Sequence, residues 1–304
     1  MTKDLWSEHY QRDTLESSTA GFPDAVRQSI EARWRSRFES IPSRTTILDV
    51  GTGTGGLLRL AADCASADHR LSLVGADLAT LDGAPDFANE YCDVTLEGGV
   101  ELTQMPFADS TFGLVVSQFS VEYAGFEQAL AECARLTSDG LLLLVHAAEG
   151  VVVRQNGGIA EQVGWLLNDQ KLESRLRNYV SDPGEDSAAE LKLLADNMVS
   201  HGRTLENPSF LESLTRNIGQ FLQHFEQYSK DENNNTIDGF VKALRNQASR
   251  MRALERASRS RGDMERAVSQ LRKSGMASVE WDIEAVGSGD TVQIVGYWLR
   301  ATRT

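Results

Sequence analysis

The feature that most constrains the fold of this chain is a glycine-rich stretch, residues 46–56, which reads Thr-Ile-Leu-Asp-Val-Gly-Thr-Gly-Thr-Gly-Gly. The apolar run before the glycines is short and nearly continuous, as in a buried parallel strand. The glycines permit backbone angles that other residues avoid, and the apolar residues from Leu57 to Ala62 continue as a helix. A strand, a tight turn and a helix therefore follow one another here. The free N–H groups at the start of the helix favour a ligand with a carboxylate or a phosphate.

Two classes of ligand fit this turn. Gly51, Gly53 and Gly56 match the pattern G-x-G-x-x-G of dinucleotide sites, which is weak evidence when it stands alone. Asp49 with Gly51, Gly53 and Gly55 matches a second pattern, an acidic residue followed by alternating glycines. A carboxylate at position 49 would repel a pyrophosphate nearby, so Asp49 favours a ligand that carries a positive charge.

Further sequence blocks follow at the spacing of a nucleotide-binding sheet. The predicted second strand, Leu71 to Ala76, ends in Asp77, which lies 22 positions after Gly55, and an acidic residue at this spacing accepts hydrogen bonds from ribose hydroxyls. The predicted fourth strand, Leu114 to Ser117, leads into residues 118–123, which emerge at the sheet edge where such folds bind ligands. The predicted fifth strand, Leu141 to Val145, is followed by His146.

With these blocks, the chain from Ile47 to about Val145 resembles the class I S-adenosylmethionine-dependent methyltransferases, and in particular an uncharacterised bacterial subgroup of the small-molecule type. The resemblance implies that S-adenosyl-L-methionine is the cofactor and S-adenosyl-L-homocysteine the product. It also implies that the glycine turn lies along the methionine part of the cofactor and that Asp49 helps to hold its ammonium group. The cofactor-binding residues expected on this basis are Asp49, Gly51, Thr52, Gly53, Gly55, Asp77, Leu78, Glu101, Leu102 and Gln118.

The block from Val100 to Thr111 is similar to a block of the same family, with two departures. Glu101 stands where the family usually has an aspartate near the adenine amino group, and Gly113 stands where it has an aspartate at the start of strand four. The longer Glu101 side chain is easily accommodated. Gly113 lies at the end of the strand away from the ligand edge, so its effect on the chemistry is expected to be small.

The predicted fold class is α/β, a seven-stranded Rossmann-like sheet that is parallel except for a C-terminal antiparallel hairpin. The hairpin is predicted from residues 278–286 and 292–301, which flank a glycine-rich turn. Roughly 110 residues of helical periodicity after Gly150 predict a helical insert between strands five and six, with three to four helices, a break at Pro183-Gly184 and a turn at Asn233 to Asn235. The predicted segments are a helical lid segment over 1–42, the cofactor-binding core over 43–150, the insert or cap over 151–260, and a last helix and hairpin over 261–304.

Methyl transfer from a sulfonium requires alignment of the acceptor and exclusion of water, and a general base is optional. His146 is the first candidate for a base because its ordinary pKa is near neutrality, and Glu122 and Tyr123 come after it. A structural role is the alternative for a lone histidine at the end of a strand. Phe119 is a candidate substrate contact. Trp6 and Tyr10 are candidate lid residues, with anchoring of the terminal segment on the core as the alternative.

The charge distribution limits the class of substrate. Of the net charge of −14, residues 1–150 carry −13, which disfavours nucleic acid and suits a neutral or cationic small molecule. The three cysteines, Cys64, Cys92 and Cys133, are scattered, so neither a disulfide framework nor a metal site is expected. The absence of a signal-peptide core and of a long apolar run predicts a cytoplasmic protein that does not enter a membrane.

The leading functional hypothesis is a methyltransferase whose small-molecule substrate binds between the sheet edge and the helical insert. One alternative is methylation of a macromolecule such as tRNA or protein, with the arginines from Arg245 to Arg259 as a docking surface. Another is an S-adenosylmethionine-binding protein without transfer activity, whose insert binds a partner. A homodimer formed through the insert is a further hypothesis.

Overall fold

The computed structural model describes residues 22–81, 85–287 and 292–303. Within these ranges seven strands form a sheet in the order β3-β2-β1-β4-β5-β7-β6. The strands are β1 Thr45–Val50, β2 Leu71–Asp77, β3 Cys92–Gly98, β4 Phe112–Gln118, β5 Thr137–His146, β6 Ser278–Val286 and β7 Gln293–Thr302. Strands β1 to β5 are parallel, whereas β7 lies antiparallel between β5 and β6. The predicted sheet, its C-terminal hairpin and the insert between strands five and six are thereby confirmed.

Ten α-helices occur in the described ranges. They are α1 Asp24–Ser40, α2 Gly56–Asp63, α3 Phe126–Leu136, α4 Val151–Asn156, α5 Ile159–Gly164, α6 Leu172–Ser181, α7 Glu185–Gly202, α8 Ser209–His224, α9 Lys230–Ala257 and α10 Arg261–Lys273. Short 3₁₀-helices cover Val121–Ala124 and Phe225–Gln227, and a π-helix covers Trp165–Asp169. None of these helices is long and apolar enough to span a membrane.

The chain divides into two compact units, a core unit from residues up to 154 and from 254 onward, and an insert unit, residues 155–253. In the core unit, alternating residues of each central strand face opposite sides of the sheet. Leu48 and Val50 belong to the apolar cluster that contains residues of α3 and α10. Ile47 belongs to the second cluster, with residues of α1 and α2. Each face of the sheet is therefore covered, which is why the strands read as nearly continuous apolar runs.

Helix α1 is joined to the hairpin by polar contacts. Glu284 of β6 is 4% exposed and accepts hydrogen bonds from Ser29 Oγ at 2.6 Å and from Trp298 Nε1 at 2.6 Å. Arg33 donates to both carboxylate oxygens of Asp282, at 2.7 and 2.6 Å. The first described helix and the last two strands therefore form one connected structure.

The insert unit has an apolar core of its own, formed by residues of α5 to α9 such as Leu176, Leu194, Leu214 and Leu244. More helices form than the three to four predicted, partly because residues 151–169 are divided at Gly158, whose φ is +77°. The predicted break at Pro183-Gly184 separates α6 from α7.

The predicted turn at Asn233 to Asn235 is wrong, because these residues lie inside helix α9. Asn233 is buried, and its amide donates to the main-chain oxygens of Phe225 at 2.7 Å and Tyr228 at 3.3 Å. An asparagine usually competes with helix formation by binding nearby backbone. Here its side chain instead satisfies the carbonyls of the preceding turn, so it stabilises the start of the helix.

Candidate functional site

The glycine turn between β1 and α2 is held against two other segments. Gly51, Gly53 and Gly55 have φ angles of +74°, +54° and +86°. The N–H groups of Gly51 and Thr52 donate to the oxygen of Ala76 at the end of β2, at 2.7 and 3.1 Å. A Cβ atom on Gly51 would lie 1.7 Å from Ser120 Oγ. Glycine is thus required at position 51 both by the backbone angle and by the close approach of the segment after β4.

Asp77 at the end of β2 is locked in one orientation. Its Oδ2 accepts a hydrogen bond from Gly53 N at 2.8 Å, and its Oδ1 accepts one from Ala79 N at 2.8 Å. Burial raises the pKa of Asp77 above its ordinary value, and these main-chain N–H groups oppose part of that shift. A carboxylate offers about four acceptor positions, and the N–H groups of Gly53, Ala79 and Leu78 leave at least one of them open. Asp77 can therefore accept additional hydrogen bonds from a ligand that lies along the turn.

Asp49 is a buried carboxyl group, 2% exposed, at the second-to-last position of β1. Burial raises its pKa to about 7, and the neighbouring Asp77 carboxylate acts in the same direction. A cation bound beside Asp49 would reverse this effect, since an opposite charge favours the ionised form. The position is thus suited to an ammonium group.

The loop after β3 lies beside the turn. Val100 N donates to Asp77 O at 2.8 Å, and Leu102 is buried, with its Cδ1 3.5 Å from where a Cβ on Gly51 would be. Glu101 is exposed and Leu78 is half-buried. The residues that the sequence analysis assigned to the cofactor are thus brought together at the carboxyl ends of β1, β2 and β3, except Gln118, which ends β4.

Two residues that the sequence analysis did not single out brace this loop. Glu132 Oε1 accepts from Met105 N at 2.7 Å, and Arg135 donates to Glu132 Oε2 at 2.8 Å and to Phe107 O at 2.9 Å. The spacing of three residues between Glu132 and Arg135 on one helix was the available signal. It did not indicate which loop they would hold.

Gln118 at the end of β4 is tied to helix α1. Trp34 is 1% exposed, and its Nε1 donates to Gln118 Oε1 at 2.6 Å. The amide nitrogen of Gln118 is thereby turned away from Trp34. Trp6 and Tyr10, the candidate lid residues, lie outside the described residues, so their role stays a prediction.

The segment after β4 brings four candidate residues together at the end of β5. Glu122 Oε1 contacts two nitrogens of His146. It lies 2.8 Å from the ring Nδ1 and accepts a hydrogen bond from the main-chain N at 2.9 Å. The ring of Phe119 lies 4.4 Å from the His146 ring and that of Tyr123 lies 5.9 Å away, measured between centroids. Glu122 and His146 are 1% and 7% exposed. This cluster combines a buried imidazole, a carboxylate and two aromatic faces.

Phe119 has a φ of +53°, which is strained for a bulky residue. Its main-chain N donates to Leu144 O at 2.7 Å, which holds this backbone at the edge of β5. A Cβ on Gly296 would lie 3.1 Å from Phe119 Cε1, so the glycine in β7 makes room for the ring. This backbone conformation places the Phe119 ring against the His146 ring.

Arg259 also belongs to this cluster, although the sequence analysis grouped it with the arginines of a possible docking surface for a macromolecule. Its N–H donates to His146 O at 2.8 Å, and its Nη2 donates to Glu122 O at 3.0 Å. Its guanidinium lies 4.9 Å from the centre of the Phe126 ring. Arg259 lies two residues beyond the end of α9 at Ala257, so it does not share a helical face with Arg245.

Comparison with known proteins is consistent with this arrangement. Residues 47–140 match the model of the family described as "Methyltransferase domain". No curated protein matches the chain in sequence.

Solved structures match with low identity. A chain of the Haloferax volcanii complex between the Trm112 methyltransferase activator and a methyltransferase is 17% identical, with 44% of this chain and 61% of that chain covered and a TM-score of 0.29. Haemonchus contortus phosphoethanolamine N-methyltransferase 1 is 14% identical, with 49% and 33% covered and a TM-score of 0.33. Streptomyces coelicolor geranyl diphosphate C-methyltransferase is 13% identical, with 48% and 64% covered and a TM-score of 0.34. In all three the match spans less than two thirds of the solved chain.

The family match begins in β1 and ends in β5, and so contains the glycine turn, Asp49, Asp77 and the Glu122 segment. The sheet order and the C-terminal antiparallel hairpin agree with it. Residues 47–140 of this chain are therefore a class I S-adenosylmethionine-dependent methyltransferase domain.

Proposed function

We propose that the protein binds S-adenosylmethionine along the glycine turn and transfers its methyl group to a small molecule at the carboxyl edge of the sheet. The observation that carries the proposal is the joint geometry of Asp49, Gly53 and Asp77. Two buried carboxyl groups flank a turn with positive φ angles, and Asp77 is fixed by Gly53 itself.

The residues present fit this cofactor. Asp49 is suited to an ammonium group, and Asp77 can accept hydrogen bonds from ribose hydroxyls. Leu102 would contribute apolar contact, and Glu101 would reach the adenine amino group. When bound, S-adenosylmethionine supplies an electrophilic methyl group on a positively charged sulfur.

The chain's own residues would then orient the acceptor and exclude water. His146, Phe119 and Tyr123 lie together at the end of β5, the strand that neighbours β4 in the sheet. The net charge of −13 in residues 1–150 supports a neutral or cationic small molecule rather than a polyanion as acceptor. The role of the insert in binding this acceptor stays a prediction.

The cofactor assignment is tested by calorimetric titration with S-adenosylmethionine, S-adenosylhomocysteine and NAD. We expect both adenosyl ligands to bind and NAD not to bind. Asp77→Asn should weaken the binding of both adenosyl ligands by about 10- to 100-fold, since hydrogen bonds to a charged group contribute roughly 1.5–3 kcal/mol. Asp68→Asn, in an exposed loop, is the matched control and should bind as the unmodified protein does. Tight binding of NAD, or equal binding by the Asp77 variant, would refute the assignment.

A further inference from the structure

The geometry at the end of β5 points to Glu122 as a positioning residue for His146, and this inference rests on the proposed function. We propose that Glu122 keeps the proton of the neutral imidazole on Nδ1, so that Nε2 can accept the proton of a hydroxyl group on the substrate. Methylation would then take place on that hydroxyl oxygen.

Two donors of His146 meet at one carboxylate oxygen of Glu122. The main-chain N–H of His146 can only donate, and it donates to Glu122 Oε1 at 2.9 Å. Oε1 is therefore an acceptor, whether the carboxyl group is ionised or carries a proton on Oε2. In either of these two states of the carboxyl group, Nδ1, which lies 2.8 Å from the same oxygen, carries the hydrogen of this contact. The neutral ring then has its lone pair on Nε2.

Two aromatic rings surround the imidazole of His146. None of the described residues forms a hydrogen bond with His146 Nε2, while Phe119 and Tyr123 lie against the ring at 4.4 and 5.9 Å between centroids. These faces limit the approach of water without competing for the lone pair. Nε2 is thus the polar atom of the ring that is left for a substrate.

Hydrogen bonds to the neighbouring backbone hold Glu122 in place. Ser117 Oγ donates to Val50 O at 2.7 Å and accepts from Val121 N at 3.2 Å, which ties the turn before Glu122 to β1. Arg259 Nη2 donates to the main-chain oxygen of Glu122 at 3.0 Å. Glu122 is 1% exposed, and its Oε2 has no hydrogen-bond partner among the described residues. Glu122 is thus held in one position, with Oε1 toward His146.

The transfer step conserves charge within the site. The acceptor oxygen forms a bond to the methyl carbon, the carbon–sulfur bond breaks with its electron pair going to sulfur, and the hydroxyl proton moves to His146 Nε2. The positive charge thereby passes from the sulfonium to an imidazolium paired with Glu122. A hydroxyl acceptor suits this arrangement because it brings no charge of its own.

Nitrogen NMR of protein labelled with ¹⁵N-histidine tests the positioning role. The neutral His146 ring should be protonated at Nδ1. Glu122→Gln should keep this tautomer, because its amide oxygen can still accept from both donors, whereas Glu122→Ala should lose it. Glu127→Gln, an exposed position on α3, is the matched control. A ring protonated at Nε2 in the unmodified protein, or an unchanged tautomer in Glu122→Ala, would overturn the proposal.

A second readout separates a catalytic position from a structural one. S-adenosylmethionine and S-adenosylhomocysteine differ by one methyl group and one charge, so exchanging them should shift the Nε2 resonance of His146. The other four histidines, His9, His69, His201 and His224, serve as internal controls. If both ligands bind and the His146 signal is the same in both complexes, the ring is structural and the proposal fails. If neither ligand binds in calorimetry, the proposed function itself fails.

Discussion

At the scale of single residues, Asp49 combines two opposing requirements. It lies at a position where burial raises its pKa to about 7, so in the folded protein without ligand it holds a proton that the unfolded chain would release at about pH 4. The folded state therefore binds more protons between these two values. The contribution of Asp49 to the stability of the folded state is therefore fully present below about pH 4 and is lost as the pH rises toward 7.

We expect Asp49→Asn to be more stable than the unmodified protein at pH 8, by up to about 4 kcal/mol, since each unit of pKa shift corresponds to about 1.4 kcal/mol. At pH 5 the gain should be clearly smaller, because the native carboxyl group is then mostly protonated. Urea unfolding at the two pH values measures the difference. An equal gain at both values would contradict the pKa argument.

The same substitution should abolish the attraction for a ligand ammonium group. Calorimetric titration with S-adenosylmethionine at pH 8 should show binding at least about tenfold weaker for Asp49→Asn, and no such loss for Asp68→Asn, since removal of one partner of a charged contact costs several kcal/mol. Retained affinity in Asp49→Asn would remove Asp49 from the site. A residue that destabilises the empty fold is thus expected to be required for binding.

At the scale of secondary-structure elements, α1 and the hairpin depend on one carboxylate. Glu284 accepts from Ser29 and from Trp298. Glu284 and Trp298 are buried, whereas Ser29 is exposed. The removal of an acceptor from buried donors costs about 1–3 kcal/mol for each donor.

Glu284→Ala should therefore lower the free energy of unfolding by about 1–3 kcal/mol, mainly through the buried Trp298 N–H that loses its acceptor. Glu280→Ala, on the same strand, removes a contact of 3.5 Å with Arg300 between two largely exposed side chains and should cost less than about 1 kcal/mol. Thermal and urea melting of both variants measures the contrast. Similar losses in the two variants would show that the Glu284 hydrogen bonds add little.

The sequence predicts those elements and residues that depend on local pattern. The strands, the hairpin and the glycine turn follow from short apolar runs and from glycines, and Asp77 follows from its distance along the chain. Glu284, Glu132 and Arg259 do not follow, because their partners are 14 to 255, 27 and 137 positions away along the chain. Asn233 was misread for a different reason, since its partners Phe225 and Tyr228 are only 8 and 5 positions away, but a run of asparagines is more typical of a turn than of a helix.

At the scale of the whole molecule, the two compact units have separate apolar cores. Leu214 lies in the insert core at 4% exposed, and Leu130 lies in the core unit at 0% exposed. A leucine-to-alanine substitution at either position should lower the free energy of unfolding by about 2–5 kcal/mol. The region that opens more easily should be the insert unit in one variant and the core unit in the other.

Hydrogen–deuterium exchange of Leu214→Ala should be faster in α6 to α9 and unchanged in β1 and β2, with binding of S-adenosylmethionine retained. Leu130→Ala should accelerate exchange in the sheet and weaken binding. Faster exchange throughout the chain in both variants would show that the two units unfold as one.

The place of β7 between β5 and β6 has a consequence for the route by which the protein folds. His146 pairs with Gly296, so the strand that carries the candidate base finds its neighbour 150 positions further along the chain. Pairing at such a separation is slow, since a large loop must close before any contact is gained. If residues 155–253 collapse first around their own core, they shorten the effective loop. The insert would then act as a folding aid that brings the two ends of the sheet within reach of each other.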